Sequence, residues 1–252
     1  MTASTNYHCL AYAELDVCNP LDMATVDAAV TRTGLRPGAR ALDIGTGNGA
    51  IAVRLAEAFG LEVTAVELDP AMADIARGRI SISPAADRIS LRQDRSGAVL
   101  ADIAALDLIV ATGTTDPAGD GRLEPAAIFA ALSRHLVPGG WLLWGDLIWS
   151  AEPPVPVRQI FELTNRYTTD AGTRADAREA GLELISADIS PKAAMDHYIG
   201  TADRTARAWL ADHPDAPDAH GIRTSADRVK LMFEFGGDYV DFGLYLLRRP
   251  PG

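Results

Sequence analysis

From residue 38 onward, short apolar runs alternate with stretches whose apolar positions recur every three to four residues, the pattern of strands and helices wound around a parallel sheet. The first run, Ala39 to Ile44, leads into Gly45 to Gly49 and a helical stretch that stops at Gly60, a residue suited to a left-handed C-terminal position. The second run is Glu62 to Glu67, after which Asp69 and Pro70 supply an N-cap and an N1 proline for the next helix. Ile89 to Gln93 and Leu106 to Ala111 read as buried strands. A helix from about Glu124 to Leu136 is expected to stop at Pro138-Gly139-Gly140, with a fifth strand beginning at Trp141. A proline-rich crossing from Glu152 to Pro156, a helix from about Val157, a sixth strand over Leu182 to Ile189 and a last strand over Val240 to Arg248 complete the alternation. The stretch between these last two strands is too long for a hairpin loop and looks mostly helical, with starts at Ser190-Pro191 and at Thr224 or Ser225. The first 36 residues are also mainly helical, with Asn19 as N-cap, Pro20 at N1 and Gly34 past the end.

This pattern divides one domain of 252 residues into an N-terminal helical cap (1–36), a sheet core (37–189), a helical insert (190–238) and a last strand with its tail (239–252). The formal charge of −11 lacks the basic footprint of a protein that neutralises phosphates, so a nucleic-acid partner is not expected. The longest apolar stretch, Trp141 to Trp149, is broken by Asp146 and falls far short of the ~20 residues of a membrane span. MTASTNYH lacks the basic and then apolar pattern of a signal peptide, and Cys9 and Cys18 form no CxxC pair. These features together favour a cytoplasmic protein with no membrane partner; a homodimer is an allowed assembly.

The segment ALDIGTGNGA lies where a strand turns into a helix, so Gly45, Gly47 and Gly49 let the backbone approach a ligand while the helix start presents free N–H groups. Read as Gly45-x-Gly47-x-x-Ala50, it satisfies the dinucleotide fingerprint, with Glu67 22 residues after Gly45 as the ribose-binding carboxylate. Two details favour another cofactor: Asp43 stands two positions before the first glycine, and glycine recurs at every second position. An acidic pair at the carboxyl edge of a parallel sheet lies where ligands bind in doubly wound folds, and it suits a sulfonium better than a phosphate. The competing reading of Asp43 and Glu67 is a solvated or helix-capping carboxylate.

On these residues the chain resembles a class I S-adenosylmethionine-dependent methyltransferase of the bacterial small-molecule kind. Asp43-Ile44-Gly45-Thr46-Gly47-Asn48-Gly49 resembles the family's first motif, whose loop lies against the methionine moiety. Val66-Glu67-Leu68-Asp69-Pro70 resembles its second, which implies Glu67 on the ribose hydroxyls and Leu68 and Met72 beside the adenine. Asp94 stands where the family's Asp contacts the adenine amino group, and Arg95 and Ala111 fall in the matched segments that join the cofactor-binding set. The resemblance implies S-adenosyl-L-methionine as cofactor. It also implies a doubly wound, mostly parallel, seven-stranded α/β sheet of the Rossmann-like methyltransferase fold, with an antiparallel last strand and helical additions.

The loop Ala111-Thr112-Gly113-Thr114-Thr115 is not the Asn-Pro-Pro-Tyr type of enzymes that methylate nucleic-acid bases or glutamine, and Asp146 has no carboxylate partner at the end of the fourth strand. A small-molecule acceptor and no metal are therefore expected. The stretches Asn6 to Tyr12 and Gly145 to Trp149 also resemble that bacterial group, which implies an N-terminal helix folded over the cofactor. Tyr7, Tyr12, Trp149 and Tyr198 are the candidate acceptor-pocket residues; His8, His197 and Asp146 are the candidates for catalysis. The bland alternatives are solvated histidines, tyrosines filling space with wet hydroxyls, and a loop-capping Asp146. An NAD(P)-dependent oxidoreductase and a non-catalytic S-adenosylmethionine-binding protein are the rival functions.

Overall fold

A computed structural model describes residues 5–121, 123–163 and 165–252. Its seven strands are β1 (Arg40–Ile44), β2 (Glu62–Glu67), β3 (Ile89–Gln93), β4 (Leu106–Thr112), β5 (Leu136–Trp149), β6 (Glu183–Ile189) and β7 (Val240–Arg248). They form one sheet in the order β3-β2-β1-β4-β5-β7-β6. The pairs from β3 through β5 are parallel, and β7 runs antiparallel to both β5 and β6. This is the doubly wound methyltransferase sheet that the resemblance implied.

Alternate residues of each strand feed opposite faces, as the two-residue period of a strand requires. Ala41, Val63, Val110 and Leu143 pack with α2 (Met23–Thr33) and α3 (Ala50–Phe59) on one face. Leu42, Ile109, Leu142 and Trp144 pack on the other with α5 (Ser96–Asp102), α6 (Pro125–Ser133) and α8 (Asp170–Glu179). The helix after β2, α4 (Pro70–Ser81), starts as its sequence predicts: the Asp69 side chain accepts from the Ala71 and Met72 amides, and Pro70 opens the first turn. No helix among the described residues is long and apolar enough to cross a membrane.

The remaining helices gather above the carboxyl ends of the strands. The five-residue α1 (Tyr7–Ala11) packs against α9 (Lys192–Asp212) and α10 (Ala219–Gly236), burying Tyr7 and Ala11 among Ala202, Ala206, Leu210 and Ile222. This apolar cluster is separate from both sheet faces. A fourth cluster joins α7 (Val155–Phe161) to the end of β5 through Trp149, Val157 and Phe161.

Several boundaries differ from the sequence expectation. Helix α2 starts after Asp22, whose carboxylate accepts from the Thr25 amide at 2.7 Å, whereas Asn19 closes a tight turn by accepting from the Leu21 amide. The Pro138-Gly139-Gly140 break does not precede β5 but lies within it, because Gly139 takes a φ of 81° and its amide donates to the Arg249 carbonyl. Helix α10 begins at Ala219 rather than at Thr224 or Ser225; Thr224 lies inside it and turns its hydroxyl to the His220 carbonyl at 2.9 Å. The short helices α5 and α8 carry too few apolar repeats to have been anticipated.

The face that carries α6 is held by Phe129, fully buried and edge-on to Trp144 with ring centroids 5.3 Å apart. Phe129→Ala should lower the unfolding free energy by about 3–5 kcal/mol, read from the midpoint of urea denaturation.

Candidate active site

The turn from β1 into α3 needs three residues in the left-handed region: Gly45, Gly47 and Gly49 have φ of 68°, 58° and 78°. Space reinforces the choice. A Cβ on Gly45 would collide with the Thr114 hydroxyl, and one on Gly47 would lie 3.0 Å from Cys18 Sγ. The loop is pinned from the neighbouring strand, because the Gly47 amide donates to Glu67 Oε2 at 2.9 Å while the Asp69 amide donates to Glu67 Oε1 at 2.9 Å. Burial raises the Glu67 carboxyl above its usual range, and these backbone N–H groups act against that rise.

Beneath the loop, Asp43 is only 2% exposed. Its carboxylate accepts from the Thr46 hydroxyl at 2.5 Å, and the Ala52 amide in the first turn of α3 donates to it as well. Burial dominates and pushes the Asp43 carboxyl up to about 6. Asp43 thus braces the loop and the start of α3 from below. Asn48 does the same from the side: its amide donates to the Leu15 carbonyl at 3.0 Å, tying the N-terminal segment to the loop.

Above the loop opens a cavity of about 590 Å³ at the carboxyl ends of β1, β2 and β4. Gly45, Gly47 and Glu67 form its floor, and Leu68, Met72, Asp94 and Arg95 form one end. Leu68 is 58% exposed, an apolar ledge open to a ligand. The opposite wall is the loop after β4, Thr112 to Asp116, and the roof includes His8 and Tyr12. Asn6, the N-cap of α1, donates to Asp69 Oδ2 at 2.6 Å and so fastens the roof to the start of α4.

Of the residues expected from sequence to bind cofactor, Gly45, Gly47, Glu67, Leu68, Met72, Asp94 and Arg95 face this cavity. Asp43, Thr46 and Asn48 instead line a much smaller cleft beneath the loop, Gly49 abuts the Ala76 backbone, and Ala111 is buried in the sheet core. Among the acceptor candidates Tyr12 faces the cavity, its hydroxyl 3.2 Å from that of Tyr198 behind it. Tyr7 is turned into the α1–α9–α10 cluster, and Trp149 packs edge-on against Phe161 with its indole N–H donating to Glu162 at 3.2 Å. Both are held away from the cavity by apolar neighbours.

The three catalytic candidates separate as well. His8 lines the cavity, stacked on Tyr12 with centroids 5.7 Å apart. Burial and the nearby Arg228 charge lower its pKa below the usual histidine value, against the pull of Asp69. His197 is exposed on α9 and stands outside the cavity, although its neighbour Tyr198 points inward; one helical step turns a side chain by about 100°. Asp146 is buried beside the loop after β4 without reaching the cavity surface, and burial pushes it up to about 7. Cys18, Asp69 and the threonines after β4 complete the cavity wall and were not expected from sequence; no local spacing marks a residue whose role depends on a distant loop.

Residues 41–140 match the family described as a methyltransferase domain. Together with the strand order and the glycine turn, that match gives the chain the fold of the class I methyltransferases. The uncharacterized protein YjhP of Escherichia coli K12 is 24% identical over 218 residues, covering 84% of this chain and 86% of its own. Ribosomal protein L11 methyltransferase of Desulfitobacterium hafniense is 38% identical over 82 residues, 32% of this chain and 25% of its own. A methyltransferase from Geobacter sulfurreducens, crystallised with S-adenosylhomocysteine, shares the fold with a TM-score of 0.82 at 22% identity, over 98% of this chain and 99% of that one.

The buried carboxyl of Asp43 sets a pH dependence. Its pKa rises from about 3.9 in the unfolded chain to about 6 in the folded one, so the folded state binds the proton more tightly. The associated stability is fully present below about pH 4 and is lost as pH rises through about 6. Between pH 4 and 7.5, Asp43→Asn should therefore lose about 3 kcal/mol less unfolding free energy than the wild type, measured by denaturant titration across that range.

Proposed function

We propose that the protein binds S-adenosyl-L-methionine in the large cavity and transfers its methyl group to a nucleophilic O, N, S or C atom of a small molecule. The observation that carries this reading is Glu67, a carboxylate tied to the glycine loop while facing the same cavity as an exposed leucine. The fit is chemical. A carboxylate offers about four acceptor positions, and with the Gly47, Asp69 and Leu68 amides on it Glu67 keeps capacity for a ribose hydroxyl. Leu68 and Met72 supply apolar surface for a purine, and Asp94 supplies an acceptor for its amino group. Gly45 and Gly47 line the floor on which the methionine portion would lie.

Bound there, S-adenosyl-L-methionine supplies an already activated methyl group on a sulfonium, so the transfer is an in-line displacement that requires no metal. The protein's part is to align the acceptor and exclude water. Helix α1 and the loop after β4 form the walls that would do this, with Tyr12 as an acceptor-facing side chain. His8, whose pKa burial lowers, lines the cavity and can take a proton from an acceptor that must lose one. The overall charge of −11 favours a metabolite over a nucleic acid as the acceptor.

Glu67→Ala should weaken S-adenosylhomocysteine binding by about 1–3 kcal/mol in isothermal titration calorimetry, the loss typical of hydrogen bonds to a charged group. Wild type binding NADH in preference to S-adenosylhomocysteine would overturn the reading. With an acceptor found by screening metabolites for methyl uptake, His8→Ala should lower turnover by about 10²-fold or more and leave S-adenosylhomocysteine affinity unchanged. Undiminished turnover removes His8 as the base.

A further inference from the structure

The end of β5 holds a buried polar pair that the proposed transfer does not use. Asp146 Oδ1 accepts from the Leu147 amide at 2.8 Å, and its Oδ2 accepts from Asn165 Nδ2 at 3.1 Å. The same Asn165 nitrogen donates to the Thr114 carbonyl at 3.3 Å. Asn165 is 4% exposed, and its Oδ1 has no hydrogen-bond partner among the described residues. Thr114 belongs to the cavity wall, and its hydroxyl rests where a Cβ on Gly45 would otherwise stand. A continuous path of contacts thus runs from Asp146 through Asn165 and Thr114 to the glycine turn.

We infer that Asn165 is a positioning residue: its side-chain amide, oriented by the Asp146 carboxylate, holds the Thr114 carbonyl and keeps the loop after β4 seated against Gly45. The orientation follows from counting donors. An ionised carboxylate only accepts, so it selects the arrangement in which Nδ2 faces both Asp146 and Thr114. The cost of that choice is the unpartnered Oδ1, a buried acceptor that ordinarily finds a donor. A protonated Asp146 reverses the preference. Its O–H can donate to Asn165 Oδ1 if the amide turns over, and the Thr114 carbonyl then loses its donor.

Because burial pushes Asp146 up to about 7, the changeover falls near neutral pH. The neighbours leave Asp146 to titrate as one group. Tyr167 stays protonated there, its pKa raised by burial and then by Asp146 itself, and Glu162 beyond it is paired with Arg158 and Arg166. On β7 the residue paired with Asp146 is Gly243, and β4 ends at Thr112 opposite Gly145; none of these is ionisable.

Two measurements test the inference. The first is hydrogen–deuterium exchange of peptides covering residues 112–121 in the ligand-free protein, corrected for the intrinsic pH dependence. Asn165→Ala should exchange about fivefold to tenfold faster than wild type at pH 8, on the scale of one lost hydrogen bond. Wild type should itself loosen at pH 6, whereas Asp146→Asn should show the same protection at both pH values. The second measurement rests on the cofactor reading above: wild-type affinity for S-adenosylhomocysteine should fall about fivefold to tenfold from pH 8 to pH 6, and Asp146→Asn should flatten that profile. Equal loop exchange in Asn165→Ala and wild type, or a wild-type pH dependence in Asp146→Asn, overturns the inference. If Asn165→Ala does not fold, Asp146→Asn alone carries both readouts. Absence of S-adenosylhomocysteine binding by wild type at either pH would sink the cofactor reading, while the exchange data still decide the role of Asn165.

Discussion

The site depends on one hydrogen bond between strand ends, from the Gly47 amide to the Glu67 carboxylate. Between β1 and α3 the chain must turn within five residues, and Gly45 and Gly47 sit where a Cβ would meet Thr114 and Cys18. The backbone therefore passes through the left-handed region three times, and its N–H groups need an acceptor from elsewhere. Glu67 is that acceptor, and the bond sets the height of the glycine turn above the sheet. The remaining contacts close around this arrangement: Asp43 fixes the turn from below, Cys18 and Asn48 bring the N-terminal segment against it, and Thr114 covers Gly45.

The elements most legible in the sequence are those whose signals are local. Asp69-Pro70 begins a helix because the cap and the proline act within one turn, and the glycine spacing marks the β1–α3 turn because no other residue adopts that backbone at low cost. The start of β5 was hidden for the opposite reason. Pro138-Gly139-Gly140 reads as a break, yet Gly139 is received by the Arg249 carbonyl, more than a hundred positions away along the chain. Asn19 reads as the cap of α2, but its side chain closes the turn before the helix and Asp22 takes the cap position.

The same division runs through the site. Glu67, Leu68 and Asp94 face the cavity from a strand end or the turn just after it, where position along the chain fixes direction. Tyr7, Trp149 and His197 do not, since a helix or an irregular crossing can present a side chain to any quarter, and apolar neighbours claimed the first two. Asp43 carries a lesson about carboxylates in such motifs. Its hydrogen bonds go to Thr46 and to the first turn of α3, so its influence on a ligand passes through the backbone.

The roof and the floor of the cavity belong to different apolar clusters. His8 and Tyr12 are carried by helices packed on one another, whereas Gly47 and Glu67 are carried by the sheet. Residues without shared partners contribute to stability and binding almost independently. Substitutions in the roof cluster should therefore leave the sheet-borne floor largely undisturbed, and the reverse. Two side chains cross between them: Asp69, whose carboxylate receives Asn6 from the roof and the α4 amides from the core, and Asn48, whose amide donates to the Leu15 carbonyl. Epistasis between the two halves should concentrate at those crossing side chains.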